Sequence, residues 1–391
     1  MLMKMPDSYR GREQTYVKHH LLSTYLERLF MIIGQHQSSI RYVDCFSGPW
    51  QEGSEDLQDT SVGIALAIMQ KCQEGLIAIS KNVQFRALFI EKDKKAYDKL
   101  VSYLNLSSPP EVETDARNGE FFDLRESILS WCGPADFTFF FIDPTGWKRV
   151  VEIPTLRPFL ERPNSEFLIN FMYDFVLRTH TQENFQDDMR AIFGYLPDTA
   201  GLRPKQREEH LTRLYRQQLK EITSNKGGIA RTASVPILYP LRDRTLYHLV
   251  YLTRHAKGLS VFMEASEKIE YVQRRVRAQA KQEHRESRTR QRELFSSDND
   301  IQVEESSDLS EVKTYWLDRL SAEPRRFGIE QLADMLEETG WFESDLQAAF
   351  VELVGEGMAA NVDDEKKRRR KKYIHFDANR NQGERLTRLT S

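Results

Sequence analysis

The chain has 391 residues, of which 40% are hydrophobic and 29% are charged, with a formal net charge of −3. This length predicts two or three domains, and the composition is that of a globular protein. No apolar run reaches the roughly 18 residues of a membrane span, and the N-terminus has no apolar segment ending in small residues, as a secretory signal would. We therefore expect a cytoplasmic protein without a membrane partner.

Helices and strands alternate in the first half of the sequence. In chain order, the predicted elements are a helix (16–33), a strand (40–46), a helix (61–73), a strand (85–91), a helix (94–104), a strand (111–115), a helix (122–131) and two strands (136–143 and 167–173). The longer strands are near-continuous apolar runs, which is typical of a mostly parallel sheet covered on both faces by helices. The predicted fold class is α/β.

The second half of the sequence predicts several further segments. Polar helical sequence predicts an insertion over about 175–230, followed by strands at 234–239 and 246–253 and a helix from Lys257. A serine-rich acidic stretch is typical of a linker, and three short helices with a β-like ending follow it. The predicted organisation is a first domain (1–270), a basic helix (271–295), a linker (296–310) and a module similar to a winged helix (311–391).

The cysteines and motif searches exclude several classes of site. Cys45, Cys72 and Cys132 have no paired spacing, so they predict neither disulfides nor a zinc site, and we interpret them as small buried side chains. No Ser-His-Asp order, nucleophile elbow or paired histidine ligands appear. Hydrolase and metalloenzyme functions receive no support.

Two acids end the first two predicted strands. Asp44 is followed by Phe46 and Gly48, in a loop that is neither GxGxxG nor a phosphate loop. Ligands of open α/β sheets bind beyond the carboxyl ends of the strands, where a glycine allows close backbone approach. Glu91 ends the second strand, where an acid would accept hydrogen bonds from a ribose diol. A structural loop at Gly48 and a capping or solvated Glu91 are the alternatives.

A third acid, Asp143, follows the apolar strand 136–143 and precedes Pro144. Proline stiffens the backbone there, so the sequence predicts a fixed carboxylate at the mouth of the same site. Trp147 would stack on a flipped base, or it is an ordinary aromatic residue that covers a loop.

These motifs, in this order, resemble those of Rossmann-like methyltransferases, and Asp143-Pro144 is similar to the Asp-Pro-Pro-Tyr type that acts on exocyclic amines of bases. More narrowly, four segments within roughly residues 10–270 resemble the prokaryotic three-Cys-motif partner protein family: Tyr16 to His19, Tyr42 to Pro49, Phe141 to Gly146 and Tyr247 to Gly258. The resemblance implies a methyltransferase-like domain, S-adenosylmethionine as cofactor, a partner protein with three cysteines, and a setting in defence or mobile elements.

The resemblance also implies roles for individual residues. It places the cofactor near Asp44, Phe46, Gly48 and Glu91, with Asp115 on the exocyclic amine of adenine, unless Asp115 is a charged loop residue. Lys18 and His19 would approach the cofactor carboxylate or a substrate phosphate, and a surface histidine is the alternative for His19. On the acceptor side it places Asp143, Pro144 and Trp147.

The sequence departs from these patterns at two places. Trp50 stands where the family commonly has glycine, and Pro144-Thr145-Gly146 replaces Pro-Pro-Tyr. Two functions therefore stay open. One is a methyltransferase acting on nucleic acid, and the other is a non-catalytic scaffold that binds nucleic acid and a three-Cys-motif protein.

Two basic segments indicate that the protein binds nucleic acid. Arg274, Arg277 and Lys281 begin a series at three- or four-residue spacing, which would line one helix face and suit a phosphate backbone, unless that face is merely solvated. Seven consecutive cations from Lys366 to Lys372, among them Lys367, Arg368 and Arg369, fall where a winged helix has its wing. The preceding predicted helix, 343–356, is acidic. We therefore expect it to bind poorly in a DNA groove.

Overall fold

The computed structural model describes residues 5–48, 57–144, 146, 149–224, 228–289, 308–364 and 372–389. Several sequence predictions fall outside the described residues: those at Pro49, Trp50, Thr145 and Trp147, those at 366–371 including Lys367, Arg368 and Arg369, and those at 290–307 of the predicted basic helix and linker.

Seven strands form the main sheet. They are β1 (Ser39–Asp44), β2 (Gln84–Glu91), β3 (Val112–Asn118), β4 (Phe137–Ile142), β5 (Ser165–Phe171), β6 (Arg231–Leu238) and β7 (Thr245–Thr253). Their order across the sheet is β3-β2-β1-β4-β5-β7-β6. The pairs from β3 to β5 are parallel, whereas β7 is antiparallel to both β5 and β6. The prediction of a mostly parallel α/β sheet is confirmed.

Helices cover both faces of this sheet. They are α1 (Glu13–Ile33), α2 (Ser61–Ala78), α3 (Lys94–Ser107), α4 (Arg125–Cys132), α5 (Ile153–Leu160), α6 (Tyr173–Thr179), α7 (Gln186–Phe193), α8 (Pro204–Ser224) and α9 (Ala256–Thr289). Because side chains alternate along a strand, β1 sends Tyr42 into the apolar cluster beneath α1, α2 and α9 and Val43 into the cluster beneath α4, α5 and α8. Helices α6–α8 lie between β5 and β6, where the sequence predicts a helical insertion.

The order of the strands reverses between β1 and β4. The chain adds β2 and β3 on one side of β1, then returns to add β4 and β5 on the other. In open α/β sheets such a reversal leaves a crevice at the carboxyl ends of the strands, and ligands bind there. Asp44 and Glu91 are the last residues of β1 and β2, and Asp143 directly follows β4. The three predicted acids therefore share this edge.

The C-terminal residues form a small module with its own sheet. Its elements are α10 (Leu309–Arg319), β8 (Arg325–Phe327), α11 (Ile329–Thr339), α12 (Glu343–Gly355), β9 (Ala359–Asn361) and β10 (Glu384–Arg388). The strands pair antiparallel in the order β8-β10-β9. Trp316 is fully buried, and its indole N–H donates to the carbonyl of Leu346 at 2.9 Å.

The module packs against the outer edge of the main sheet. Buried Arg231, at the start of β6, pairs with Glu330 and Asp334 of α11. Glu337 of the same helix accepts a hydrogen bond from the backbone N–H of Thr232 at 2.8 Å. Apolar side chains of the module and of the α1–α9 face form one cluster. The α11 helix thus covers the amino end of edge strand β6.

Candidate functional site

A cavity of about 640 Å³ opens at the carboxyl edge of the sheet. This volume lies within the range typical of small-molecule sites. Its wall contains four of the residues that the sequence predicts for the site, namely Phe46, Gly48, Glu91 and Pro144. The remaining lining residues are Cys45, Ile90, Lys92, Gly119, Glu120, Phe121, Phe122, Asp123, Gly146, Arg149, Val150, Phe175 and Phe185.

Glu91 lies against the loop that follows β1. One of its carboxylate oxygens, Oε1, accepts a hydrogen bond from the backbone N–H of Asp93 at 2.6 Å. A Cβ added to Gly48 would lie 2.5 Å from the other oxygen, Oε2, so a side chain at position 48 would push the Glu91 carboxylate out of this position. Burial raises the pKa of Glu91, and the Asp93 N–H acts in the opposite direction. The backbone thus fixes the carboxylate on the cavity wall.

Aromatic rings line the same end of the cavity. Phe46 packs against Phe121 with ring centroids 5.4 Å apart, and Phe121 stacks on Phe159. Two acids, Glu120 and Asp123, flank Phe121 and Phe122 in the loop after β3. Sequence reasoning missed this loop, although two phenylalanines between acids directly after a strand are a usable signal.

Asp115 lies away from the cavity. Strand β3 continues to Asn118, so Asp115 pairs with Leu88 three residues before the strand ends. Its side chain is 46% exposed and lies 3.6 Å from the Arg117 guanidinium. Asp115 is thus not among the lining residues, and its role at the adenine amine stays a prediction; the acids that line this end of the cavity are Glu120 and Asp123.

Asp44 is fully buried directly before the lining residue Cys45. It accepts hydrogen bonds from the Ser61 hydroxyl at 2.6 Å and from the Phe46 N–H at 3.1 Å. Burial raises the pKa of Asp44 to about 7, against the lowering effect of these two donors. The Asp44 carboxyl group therefore holds its proton more readily than an exposed aspartate does.

Asp143 is held by two side chains from different elements. The Lys18 ammonium of α1 pairs with Oδ2, and the Asn170 amide of β5 donates to Oδ1 at 2.7 Å. Lys18 also lies 6.0 Å from the centre of the Tyr247 ring. The Lys18 and Asp143 side chains are only 11% and 16% exposed. Lys18 therefore contacts the predicted acceptor-side acid, and its predicted contact with the cofactor stays a prediction.

Asn170 is a site residue that sequence reasoning missed. The signal was a single amide in the otherwise apolar stretch Phe167–Phe171. Asn170 Oδ1 and the Tyr42 hydroxyl are buried, and neither has a hydrogen-bond partner among the described residues. Buried polar atoms are normally paired, so both are candidates to bind a ligand atom or a water molecule.

His19, next to Lys18, contacts Tyr9 rather than the cavity. Its Nδ1 lies 3.0 Å from the Tyr9 hydroxyl. Burial, followed by the nearby Lys18 charge, lowers the pKa of His19 to about 3. The imidazole is therefore neutral at physiological pH and offers no positive charge to a substrate phosphate.

The cations predicted to bind phosphates along α9 form ion pairs within the chain. Arg274 pairs with Glu270 one helical turn away. Arg277 is 11% exposed, pairs with Asp243 and donates to the Tyr239 carbonyl at 3.0 Å. Lys281 also reaches Asp243, at 3.2 Å. Arg277 and Lys281 thus hold the turn between β6 and β7, and their predicted role in nucleic acid binding stays a prediction.

Two other expectations concern metals and membranes. Cys45, Cys72 and Cys132 are buried free thiols, as predicted. Among the described residues, no group of three or more His, Cys, Asp or Glu side chains is arranged to hold a metal ion. Within that same part of the chain, no helix combines the length and the apolar character that crossing a membrane requires.

Several solved structures are similar to the chain. One is a protein from Legionella pneumophila str. Philadelphia 1 of the family DUF519, with 11% identity and a TM-score of 0.37 over 66% of this chain and 91% of that chain. An O-methyltransferase from Bacillus cereus in complex with S-adenosylhomocysteine has 14% identity and a TM-score of 0.30 over 60% and 80% of the two chains. Loganic acid methyltransferase with S-adenosylhomocysteine has 13% identity and a TM-score of 0.26 over 72% of this chain and 70% of that chain.

At TM-scores below 0.5, these similarities carry no argument about the function of this chain. No family model and no curated protein matches the sequence. The resemblance to the three-Cys-motif partner family therefore stays a prediction from four short segments.

Proposed function

We propose that the protein binds S-adenosylmethionine in the cavity and transfers its methyl group to an amine of a nucleic acid base. The observation that carries the proposal is the contact between Glu91 and Gly48 on the cavity wall. It places a fixed carboxylate and a closely packed glycine loop at the switch point of the sheet, where nucleoside ligands bind in folds of this type.

The residues of the cavity fit this cofactor. Glu91 has lone pairs for the two ribose hydroxyls. The rings of Phe46, Phe121 and Phe122 provide apolar surface for adenine, and Glu120 or Asp123 would accept from its amine. Asp44, which directly precedes the lining residue Cys45, would add negative charge near the cationic part of the cofactor in its ionised form. When bound, S-adenosylmethionine supplies an electrophilic methyl group on a positively charged sulfur.

Asp143 and Pro144 would hold the acceptor. The Asp143 carboxylate and the Pro144 carbonyl are hydrogen-bond acceptors, so they would orient an amine and raise its nucleophilicity. Such catalysis consists mainly of positioning. Lys18 donates to one Asp143 oxygen, and a carboxylate oxygen has two lone pairs. An incoming amine would therefore share that oxygen with Lys18 or displace it.

Calorimetric titration with S-adenosylmethionine tests the cofactor assignment. Glu91→Ala should weaken binding at least tenfold, because hydrogen bonds to a charged group contribute about 1.5–3 kcal/mol each. Glu126→Ala, at an exposed position of α4, is the matched control and should bind as the wild type does. Equal affinity in both variants would show that the cofactor does not bind at Glu91.

We further propose that the C-terminal module is a winged helix that contacts nucleic acid through residues 366–372. The order of its elements and its small antiparallel sheet support this assignment. In the sequence the basic run falls between β9 and β10, which pair antiparallel, and a wing would fall between two such strands. The Lys372 ammonium contacts Glu343 of α12 at 2.8 Å, which holds one end of the run against the module.

A non-catalytic scaffold is the second candidate. Lys18 and Asn170 each contact one Asp143 oxygen, and Pro144-Thr145-Gly146 lacks the aromatic residue of the amine methyltransferases. In this role the protein would join nucleic acid to a three-Cys-motif protein in a prokaryotic defence or mobile-element system. Transfer of labelled methyl groups to DNA, RNA or a co-purified partner separates the two functions. Tight cofactor binding without transfer would favour the scaffold.

A further inference from the structure

The cavity has a second aromatic wall that the proposed cofactor contacts do not use. Phe175 comes from α6, and Phe185 comes from the turn that precedes α7. Their ring centroids lie 6.1 Å apart, with the ring planes at 77°. The Arg178 guanidinium lies 5.5 Å from the centre of the Phe175 ring. Both rings line the cavity although they belong to the helical insertion.

The position of this wall in the sheet separates it from the cofactor wall. Phe46 and Glu91 follow β1 and β2, whereas Phe175 follows β5. Strand β4 lies between β1 and β5 and carries Asp143 and Pro144 at its end. The wall of Phe175 and Phe185 therefore lies on the far side of β4 from the ribose-binding position.

A cation is also among the lining residues. Arg149 lines the cavity, is exposed and follows β4 by a short loop. Its φ of 59° is unfavourable for a residue with a side chain, and its N–H donates to Glu152 at 2.9 Å. A conformation of this kind costs on the order of 1–3 kcal/mol and is often found at binding sites.

We propose that Phe175, Phe185 and Arg149 form the acceptor site, and that the acceptor is a nucleotide within a single strand. The proposal rests on the proposed function of the cavity. Aromatic side chains stack on bases of any sequence, and a guanidinium pairs with a phosphate next to the base. A planar ring that carries an adjacent negative charge fits this combination, whereas an aliphatic or cationic acceptor does not.

Binding of a labelled oligonucleotide tests the acceptor site. The probes are single-stranded 12-nucleotide DNA and RNA carrying a fluorescein label, titrated by anisotropy in the presence of S-adenosylhomocysteine. Phe175→Ala and Phe185→Ala should each weaken binding at least fivefold, because base stacking on aromatic side chains has effects of this size or larger. Arg149→Gln should weaken binding and reduce its salt dependence.

Two controls keep the result specific. Tyr195→Ala removes an exposed aromatic ring from the same insertion, at a position outside the cavity lining, and should bind as the wild type does. Affinity for S-adenosylhomocysteine, measured by calorimetry, should change less than twofold in the three cavity variants. Phe175→Tyr keeps the ring and should retain oligonucleotide binding if Phe175→Ala fails to fold.

The outcomes separate this proposal from the proposed function. If the wild type binds the cofactor but no oligonucleotide, or if the three variants bind the oligonucleotide as the wild type does, the acceptor site is refuted and the cofactor site stands. If the wild type binds no cofactor, the proposed function fails. Oligonucleotide binding that still depends on Phe175 and Phe185 would then support the nucleotide site by itself.

Discussion

The pair of Lys18 and Asp143 offers the sharpest test of the structure. Lys18→Met removes the ammonium and keeps an unbranched apolar stem. Asp143→Asn removes the negative charge and keeps nearly the same shape. Each single change leaves one largely buried charge without its partner, and the double variant leaves none. The pair therefore suits a double-mutant cycle on the free energy of unfolding.

The structure sets the expected size of the effect. Breaking a fully buried ion pair from one side costs about 3–5 kcal/mol. The Lys18 and Asp143 side chains retain some exposure, and Asn170 still donates to Asp143 when Lys18 is absent. We therefore expect about 2–3 kcal/mol for Lys18→Met and about 2 kcal/mol for Asp143→Asn.

The double variant should lose much less than the sum of the two single variants. A coupling of about 2 kcal/mol is expected, since removing both charges relieves the unpaired burial that each single variant suffers. Urea denaturation followed by circular dichroism measures all four proteins. Lys71→Met, which breaks an exposed pair with Glu27, is the control and should leave the denaturation midpoint unchanged. Additivity of the single variants within about 0.5 kcal/mol would refute the buried pair.

Three other predictions follow from the site and the module. Asp143→Asn should slow single-turnover methyl transfer roughly 10²-fold with little change in cofactor affinity, and an unchanged rate would remove Asp143 from the acceptor side. Burial raises the pKa of Asp44 from 3.8 to about 7, so between these values the folded chain holds a proton that the unfolded chain has released, and the free energy of unfolding should fall as pH rises. Asp44→Asn should flatten that slope in urea titrations at pH 5 and pH 7, and an equal slope in both proteins would contradict the buried carboxyl. Replacing Lys366 to Lys372 with glutamine should weaken nucleic acid binding equally for all sequences and flatten its salt dependence, because phosphate contacts release counterions without reading bases. Unchanged affinity and salt slope would mean that the run does not contact phosphates.

The central strands and their terminal acids could be predicted because both signals are local. Residues 137–142 are all buried and, apart from Thr138, apolar, so the strand and its end at Asp143 are visible in the sequence. Strand β3 is different, because it lies at the sheet edge and carries Glu113, Asp115 and Arg117. Without an apolar run to mark its end, sequence reasoning stopped the strand three residues early and missed the lining residues after it.

Helix α5 was missed for a local reason as well. Its eight residues include Pro154 and Pro158, which sequence reasoning treats as helix breakers. Pro154 is tolerated because the first turn of a helix has N–H groups without intrahelical partners. Pro158 lies inside the helix, but the helix ends within three residues of it.

The ion pairs of the site depend on contacts that no local pattern encodes. Lys18 and Asp143 are 125 residues apart in the chain. Likewise, spacing predicts that Arg277 and Lys281 share a helix face, but only the tertiary fold shows that Asp243 lies opposite them. Sequence periodicity therefore predicts where charges gather and not which partners they contact.

The contact between Glu337 of helix α11 and strand β6 affects how the chain would tolerate truncation. An uncovered edge strand offers its backbone groups to any other extended chain, which promotes aggregation. At Thr232 a carboxylate of α11 receives the hydrogen bond that another strand would otherwise receive, and the apolar clusters of sheet and module are continuous. A chain shortened before residue 308 would lose both protections at once and leave Arg231 without its two acids. The module therefore also shields the edge of the main sheet, and a chain shortened before residue 308 should aggregate more readily than the full chain.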